Sequence, residues 1–270
     1  LLGNEETSLA TGDRGDYTLY AGTADRRFAL IPYDLDAVLG VQGGTKSPLW
    51  RATANPVLGR LMSRPAVAAR YWFHLDDLAR TVFSAEQLEP VIDRLVGDYL
   101  PRAEVDRLKS FAAKRCEFVL SQIPRELTVT TGLGKRDGFF VSYSPELELY
   151  GQAPAIGTVA VEVNGRAADW VAPEARWRAR ITLRCGLNRL LVHALDTSGN
   201  VIARQHIKVW HGDAPSRPLG QRLTRTTRWT AAGPLLVAKP LVVPAGVTLT
   251  VDPGATICFG PKGRLLVEGR

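Results

Sequence analysis

Two aspartates, Asp34 and Asp36, stand two residues apart just after the apolar run Phe28-Ala29-Leu30-Ile31. In extended backbone, residues i and i+2 point to the same side. Two carboxylates on one side repel unless a cation or a proton lies between them. Hard cations such as Mg²⁺ take oxygen ligands, typically one or two carboxylates plus substrate phosphates. A D-x-D at the mouth of a buried strand therefore suits a metal–phosphate site, although the same acids also fit solvated loop carboxylates or turn caps. Further carboxylates lie upstream at Glu5, Glu6 and Asp16, the last directly before Tyr17-Thr18-Leu19-Tyr20.

Other chemistries find less support. His74, His193, His206 and His211 have no partner at helical spacing and no triad context. Cys116, Cys185 and Cys258 are isolated, which fits neither a zinc spacing nor a disulfide scaffold, and they read as small buried hydrophobes. Gly43-Gly44-Thr45-Lys46-Ser47 lacks the full spacing of a phosphate loop and reads as a mobile loop. Arg14-Gly15-Asp16 spells an adhesion tripeptide, but three residues recur by chance. Trp170, Trp177, Trp210 and Trp229 fit sheet packing before a sugar-stacking surface.

The acids must be positioned by what surrounds them. Residues 55–123 carry helical periodicity, beginning at Asn55-Pro56 and restarting at Pro65. Ser84 with Gln87 spells a capping box for the next helix. A last helix is expected from about Ala103 to Gln122, with Val105, Leu108, Phe111, Ala112, Phe118 and Val119 inward, closed by Pro124. The period then changes. Short strands are expected at 127–131, 139–142, 147–150, 159–163, 178–183, 189–194 and 202–209, with turns at Val163-Asn164-Gly165-Arg166 and Asp196-Thr197-Ser198-Gly199-Asn200. About seven such strands indicate a β-sandwich of immunoglobulin type without its cysteines. After a linker at 213–234, strands of three to five residues between Pro-Gly corners suit the first coils of a parallel β-helix over 235–270. One or two coils cannot bury their own stacking faces. With Leu1-Leu2-Gly3 reading as the end of a buried element, the chain is expected to be part of something longer.

Composition sets outer bounds. Of 270 residues, 45% are hydrophobic and 23% charged, so the chain is globular and not disordered as a whole. No run of about eighteen apolar residues exists, so no membrane span is expected. Residues 1–125 carry 16 of the 34 basic and 16 of the 27 acidic side chains, leaving 18 basic and 11 acidic for 126–270, which holds the whole net charge of +7. A basic β region could favour surface polymers. The arginines are scattered through strand patterns, so no nucleic-acid partner is expected.

Tyr17-Thr18-Leu19-Tyr20 followed by Phe28-Ala29-Leu30-Ile31-Pro32-Tyr33-Asp34-Leu35-Asp36 resembles the core signature of the CotH kinase family, roughly N-x-D, N-Y-x-L-Y, a strand, then I-P-W-D-x-D. The similarity continues through Asn55-Pro56-Val57-Leu58, Arg70-Tyr71-Trp72 and Gln122-Ile123-Pro124. It covers about residues 1–125, the C-terminal part of that domain. The resemblance implies a secreted or cell-surface (spore-coat) protein kinase of atypical kinase-like fold, using Mg²⁺ or Mn²⁺ with ATP on exported protein substrates. It implies that Asp34 binds the metal and that Asp36 is a second ligand or an orienting catalytic acid. Asp16, where the family has Asn, can also hold the metal. Glu6 stands where the catalytic Asp is expected, and Tyr33 replaces the usual Trp. The nucleotide-binding lysine and the phosphate-covering loop are expected before residue 1, which would leave residues 1–270 inactive alone. The departures at Glu6 and Asp16 keep open a structural or adhesive surface protein with a degenerate kinase-like domain. The expected architecture is thus multidomain α+β: a mostly α kinase-like remnant (1–125), an immunoglobulin-like sandwich (126–212), a linker (213–234) and the start of a β-helix (235–270).

Overall fold

The computed structural model describes residues 1–4, 17–25, 27–50, 56–136, 139–184, 186–212, 221–230, 235–259 and 262–269. It is a mixed α+β chain. Strands β1 (Tyr17–Ala21) and β2 (Phe28–Pro32) come first, then helices α1 (Pro56–Met62), α2 (Pro65–Arg80), α3 (Ala85–Val96) and α4 (Arg102–Gln122). The remainder is β structure, and none of its sheets closes on itself.

The helices begin and end where the residue types allow. Pro65 opens α2 at a position where its missing N–H costs nothing. Ser84 occupies the N-cap of α3, but its side chain makes no capping bond to the helix. Its hydroxyl bonds the Glu86 carboxylate instead; the Glu86 backbone N–H and this hydroxyl together hold that carboxyl below its usual range. The reciprocal capping box is therefore absent, although the boundary falls where it was expected. Helix α4 buries Val105, Phe111, Ala112, Arg115 and Val119, and ends at Ile123-Pro124.

The β structure after Pro124 has two parts. In the first, β3 (Lys135–Arg136), β4 (Phe139–Ser142), β11 (Val201–His211), β10 (Gly186–Leu195), β6 (Ala160–Val163) and β7 (Arg166–Ala167) form one sheet in that order. A second sheet orders β5 (Glu146–Gln152), β9 (Arg176–Thr182) and β8 (Asp169–Val171). Side chains of both sheets share one core, including Leu149, Val161, Val163, Trp177, Val192 and Val209. Asn164 and Gly165 both take positive φ in the two-residue turn that pairs Val163 with Arg166, as an Asn-Gly hairpin requires. Asp196 Oδ1 accepts the Ser198 and Asn200 N–H groups and so closes the turn into β11.

In the second part, each of the first three strands pairs in parallel with the third strand after it. The strands are β12 (Thr227–Trp229), β13 (Leu235–Val237), β14 (Pro240–Val243), β15 (Leu249–Val251), β16 (Ile257–Phe259) and β17 (Arg264–Val267). Thr227 pairs with Leu249 and Leu235 with Ile257, each 22 residues on (249 − 227 and 257 − 235). Pro240 pairs with Arg264 in the same sense. Trp229, Val237 and Leu241 form the buried core of this part. Strand β12 lies within the stretch 213–234 that sequence alone assigned to a linker; its parallel pairing ties it to the strands that follow.

Helices and sandwich do not meet at a loose joint. Trp72, Leu75 and Ala79 of α2, Val119 of α4 and Ile123 share a buried cluster with Ala155 and Ala175. The Ala155 N–H donates to Pro124 O at 2.8 Å. Asp76 of α2 receives hydrogen bonds from both Arg80 and Arg125. Partial burial pushes the Asp76 carboxyl up, and the two guanidiniums outweigh this and hold it below its usual range.

Trp177 shows how tightly the sandwich is filled. Its indole Nε1–H is shared between Thr128 O and Gln152 O, each at 3.2 Å. A Cβ added at Gly151 would lie 2.0 Å from Thr128 O and 3.1 Å from that same indole nitrogen. Gly151→Ala is expected to cost roughly 1–3 kcal/mol by overpacking. Gly132→Ala, where a Cβ meets nothing within 4 Å, should stay within about 0.5 kcal/mol. Urea unfolding of both variants measures the difference, and equal stabilities would contradict this packing.

Candidate functional site

Strands β1 and β2 form an antiparallel hairpin in which Tyr17 pairs with Pro32 and Ala21 with Phe28. Every residue of β2 is exposed. The apolar run Phe28–Ile31, expected as a buried strand, is thus bare on both faces. Its alternation-free hydrophobicity suggested burial on two sides, but among the described residues its pairing partner is β1 alone.

The aspartates follow two and four residues after the hairpin. Asp34 adopts φ +54°, the left-handed region that Asp tolerates better than most side chains. Strand β2 has ended at Pro32, so the i, i+2 rule for extended backbone does not apply between Asp34 and Asp36. Both are exposed, and among the described residues neither carboxylate has an ion-pair or hydrogen-bond partner. Glu6 and Asp16 lie outside the described residues, so their relation to Asp34 and Asp36 is not described. Among the described residues there is no group of three or more His, Cys, Asp or Glu placed to hold a metal.

What positions the acids is the loop after them. It turns inward at Ala37, which is fully buried, and passes Leu39 and Gly40, both with positive φ. A Cβ at Gly40 would lie 2.8 Å from the Phe111 ring, and one at Gly3 would lie 2.9 Å from it. Phe111 is therefore wedged between two backbone segments that only glycine lets approach. One turn earlier on α4, Arg107 Nη1 donates to Leu39 O at 3.3 Å. One turn later, the buried Arg115 donates to Thr45 O at 3.0 Å and to Ser47 O at 2.6 Å. Its guanidinium also lies 5.5 Å from the Phe118 ring centroid. Arg107, Phe111 and Arg115 are spaced by four and line one face of α4. The segment around Lys46, read from sequence as a mobile loop, is pinned on both sides of that exposed lysine.

Arg107 and Arg115 were missed as positioning residues. The one signal was their i, i+4 spacing about Phe111. A charged residue at an inward position usually reads as an irregularity in a helix and not as a clamp on a distant loop. Cys116, next to Arg115, bonds Ala79 O at 2.9 Å, and burial pushes its thiol up. Burial does the same for Cys258. Neither thiol is poised as a nucleophile; Cys185 lies outside the described residues.

The donor set fits a hard cation to this extent: two oxygen-only side chains, free of competing cations, stand on a loop held by a helix. Mg²⁺ commonly takes one or two carboxylates and completes its shell with water and phosphate. Removing the clamp should release the loop. Arg115→Met would strand the Thr45 and Ser47 carbonyls and cost about 2–4 kcal/mol. Amide exchange over residues 33–47 should rise with it, whereas exposed Lys114→Met should change neither. Unchanged exchange in Arg115→Met would remove the clamp from the account.

No curated protein matches the chain. Residues 5–119, which span the hairpin, the paired aspartates, the pinned loop and nearly all of the helical segment, match the family model described as CotH kinase protein, so this segment is kinase-like.

Proposed function

We propose that the complete protein transfers the γ-phosphoryl group of ATP to Ser or Thr hydroxyls of exported proteins. The observation that carries this reading is the CotH kinase match over residues 5–119, within which Glu6, Asp16, Asp34 and Asp36 all fall. In this reading Asp34, with Asp36 and Asp16, holds Mg²⁺ or Mn²⁺, and Glu6 accepts the substrate hydroxyl proton. A bound divalent ion would neutralise phosphate charge, the main electrostatic demand of phosphoryl transfer. The hydroxyl oxygen forms a bond to the γ-phosphorus, the bond to the β-phosphate bridging oxygen breaks, ADP leaves, and the proton passes to the carboxylate. Asp36 serves as second ligand or orients the reacting group. The pinned loop supports the reading because an acid used for positioning must itself be held.

The β region belongs to the same proposal. Residues 126–212 are an immunoglobulin-like sandwich, a reading supported by two sheets sharing one core. Residues 235–270 open a parallel β-helix, supported by the parallel pairs one coil apart. Among the described residues no helix is long and apolar enough to cross a membrane. The reading places the protein outside the cell or on its surface, in a coat or wall.

A second reading has its own observation. Glu6 and Asp16 stand where the family pattern has Asp and Asn, which suits a degenerate domain in a structural or adhesive surface protein. Labelled-phosphate incorporation by the complete protein separates the two. Activity with Mg²⁺ supports the kinase, and its absence under all divalent ions supports the degenerate domain. In an active protein, Asp34→Asn should lower the rate at least about a hundredfold, as loss of other electrostatic catalytic groups does. Glu6→Gln should lower kcat with little change in nucleotide binding. A wild-type rate for Asp34→Asn would overturn the metal assignment.

A further inference from the structure

The two sheets of the sandwich treat their surface charge in opposite ways. On the outer face of the three-stranded sheet, β9 presents Arg176, Arg178 and Arg180, all exposed. Each has a carboxylate: Arg176 pairs with Glu174, while Arg178 and Arg180 share Glu148. Asp169 stands directly opposite Arg178. That face neutralises itself.

The outer face of the six-stranded sheet does not. Leu190, Val192 and Ala194 of β10 and Ile207 and Val209 of β11 point into the core. By strand alternation, Arg189, Leu191 and His193 therefore face outward, beside Lys208, His206 and Arg204. The register places Arg189 opposite Lys208 and His193 opposite Arg204. Directly opposed side chains have Cβ atoms about 5 Å apart, and like charges so placed are destabilising. Arg189, Arg204 and Lys208 are exposed, and among the described residues no carboxylate pairs with any of them. The acid nearest in register, Glu162, is bound by His193 at 3.0 Å. Arg189 opposite Lys208 is thus a like-charge pair with no carboxylate partner among the described residues, a standing cost that an external polyanion would remove.

We propose that the outer face of β10 and β11 is a docking surface for an acidic, carboxylate-bearing polysaccharide. Charge complementarity carries the assignment, and the shape of the face selects among polyanions. It is the surface of two neighbouring sheet strands and offers charge and hydrogen-bond donors. Trp210 stands on the same side at the end of β11 but is buried, so the face exposes no Phe, Tyr or Trp on which unpaired bases would stack. It offers no helix to enter a duplex groove. Its apolar side chains are the half-buried Leu187, Leu191 and Leu195 and the exposed Ile202 at one end, too few and too dispersed for insertion into a lipid surface. This face is separate from the acids of the kinase-like segment, and the proposal stands whether or not that segment is active.

The test uses the full 270-residue chain with polygalacturonate as the probe, dextran as an uncharged control and a short DNA duplex as the competing polyanion. Arg189→Ser/Arg204→Ser/Lys208→Ser should weaken polygalacturonate binding at least roughly tenfold. Arg176→Ser/Arg178→Ser/Arg180→Ser removes the same charge from the self-neutralised sheet and should change binding less than about twofold. Relief of the cross-strand repulsion should leave the first variant melting at or above wild type. Should that variant fail to fold, acetylation of the wild-type chain provides the reading: bound polygalacturonate should protect Lys208 and leave exposed Lys114 unprotected. Equal losses in the two triple variants would reduce the effect to net charge and overturn the proposal. So would tighter binding of the duplex through these residues, absence of polygalacturonate binding, or no protection of Lys208.

Discussion

The structure around the candidate site depends on one face of α4. Arg107, Phe111 and Arg115 reach sideways from the helix and hold the chain from Leu39 to Ser47 by its backbone. A buried guanidinium is normally costly, because removing it from water forfeits hydration that one partner seldom replaces. Here its partners include main-chain carbonyls, which are neutral and do not titrate, so these bonds hold at any pH at which the protein is folded. They also fix backbone and not side chains, so the identity of the loop residues is left free for other uses. The next turn of α4 contributes Val119 to the cluster shared with Ala155 and Ala175. One helix thus ties the acid-bearing loop to the sandwich, and the two halves of the chain share apolar surface across Pro124.

The hairpin before the loop is a different kind of element. Five residue pairs join β1 and β2, yet its apolar side chains Leu19, Tyr20, Phe28, Leu30 and Ile31 are all exposed. A two-stranded hairpin alone is marginal in water. The chain leaves Pro32, passes through the left-handed Asp34 and enters the part that α4 grips. Asp34 therefore sits at the junction between a weakly held element and a firmly held one. A carboxylate at such a junction keeps its reach toward solvent while its backbone is restrained from one side.

Much of this was legible in the residues. The 3.6-residue period gave α2 and α4 nearly to their ends, because Pro65 and Pro124 punctuate an apolar stripe that alternates cleanly with charge. Asn164-Gly165 gave its hairpin, since few other pairs accept positive φ twice in succession. The failures have physical causes. Phe28–Ile31 read as a buried strand because hydrophobicity reports a tendency to be covered, not the presence of something that covers it. Arg115 was invisible because burial of a charge is decided by carbonyls some seventy positions away in the chain. Strand β12 was hidden among Arg and Thr; its inward Trp229 gains meaning only against the parallel strand β15 that pairs with it. Spacing two residues apart placed Asp34 and Asp36 together in sequence, but φ at Asp34 is a local choice of backbone that alternation cannot foresee.

The charge distribution follows a similar logic at larger scale. The first 125 residues balance 16 basic against 16 acidic groups, so the excess of +7 belongs to the β region. Within that region it is not evenly spread. Arg222 and Arg228 in the last part are matched by Glu268 and Asp252, as the arginines of β9 are matched by their own acids. Where one protein pairs its exposed arginines in two places and leaves cation opposite cation in a third, solubility alone is a poor explanation, since interspersed charge would serve it better. Stability argues against it too, because opposed like charges weaken a sheet. An uncompensated face is then best understood as a surface whose counter-ions come from outside the chain.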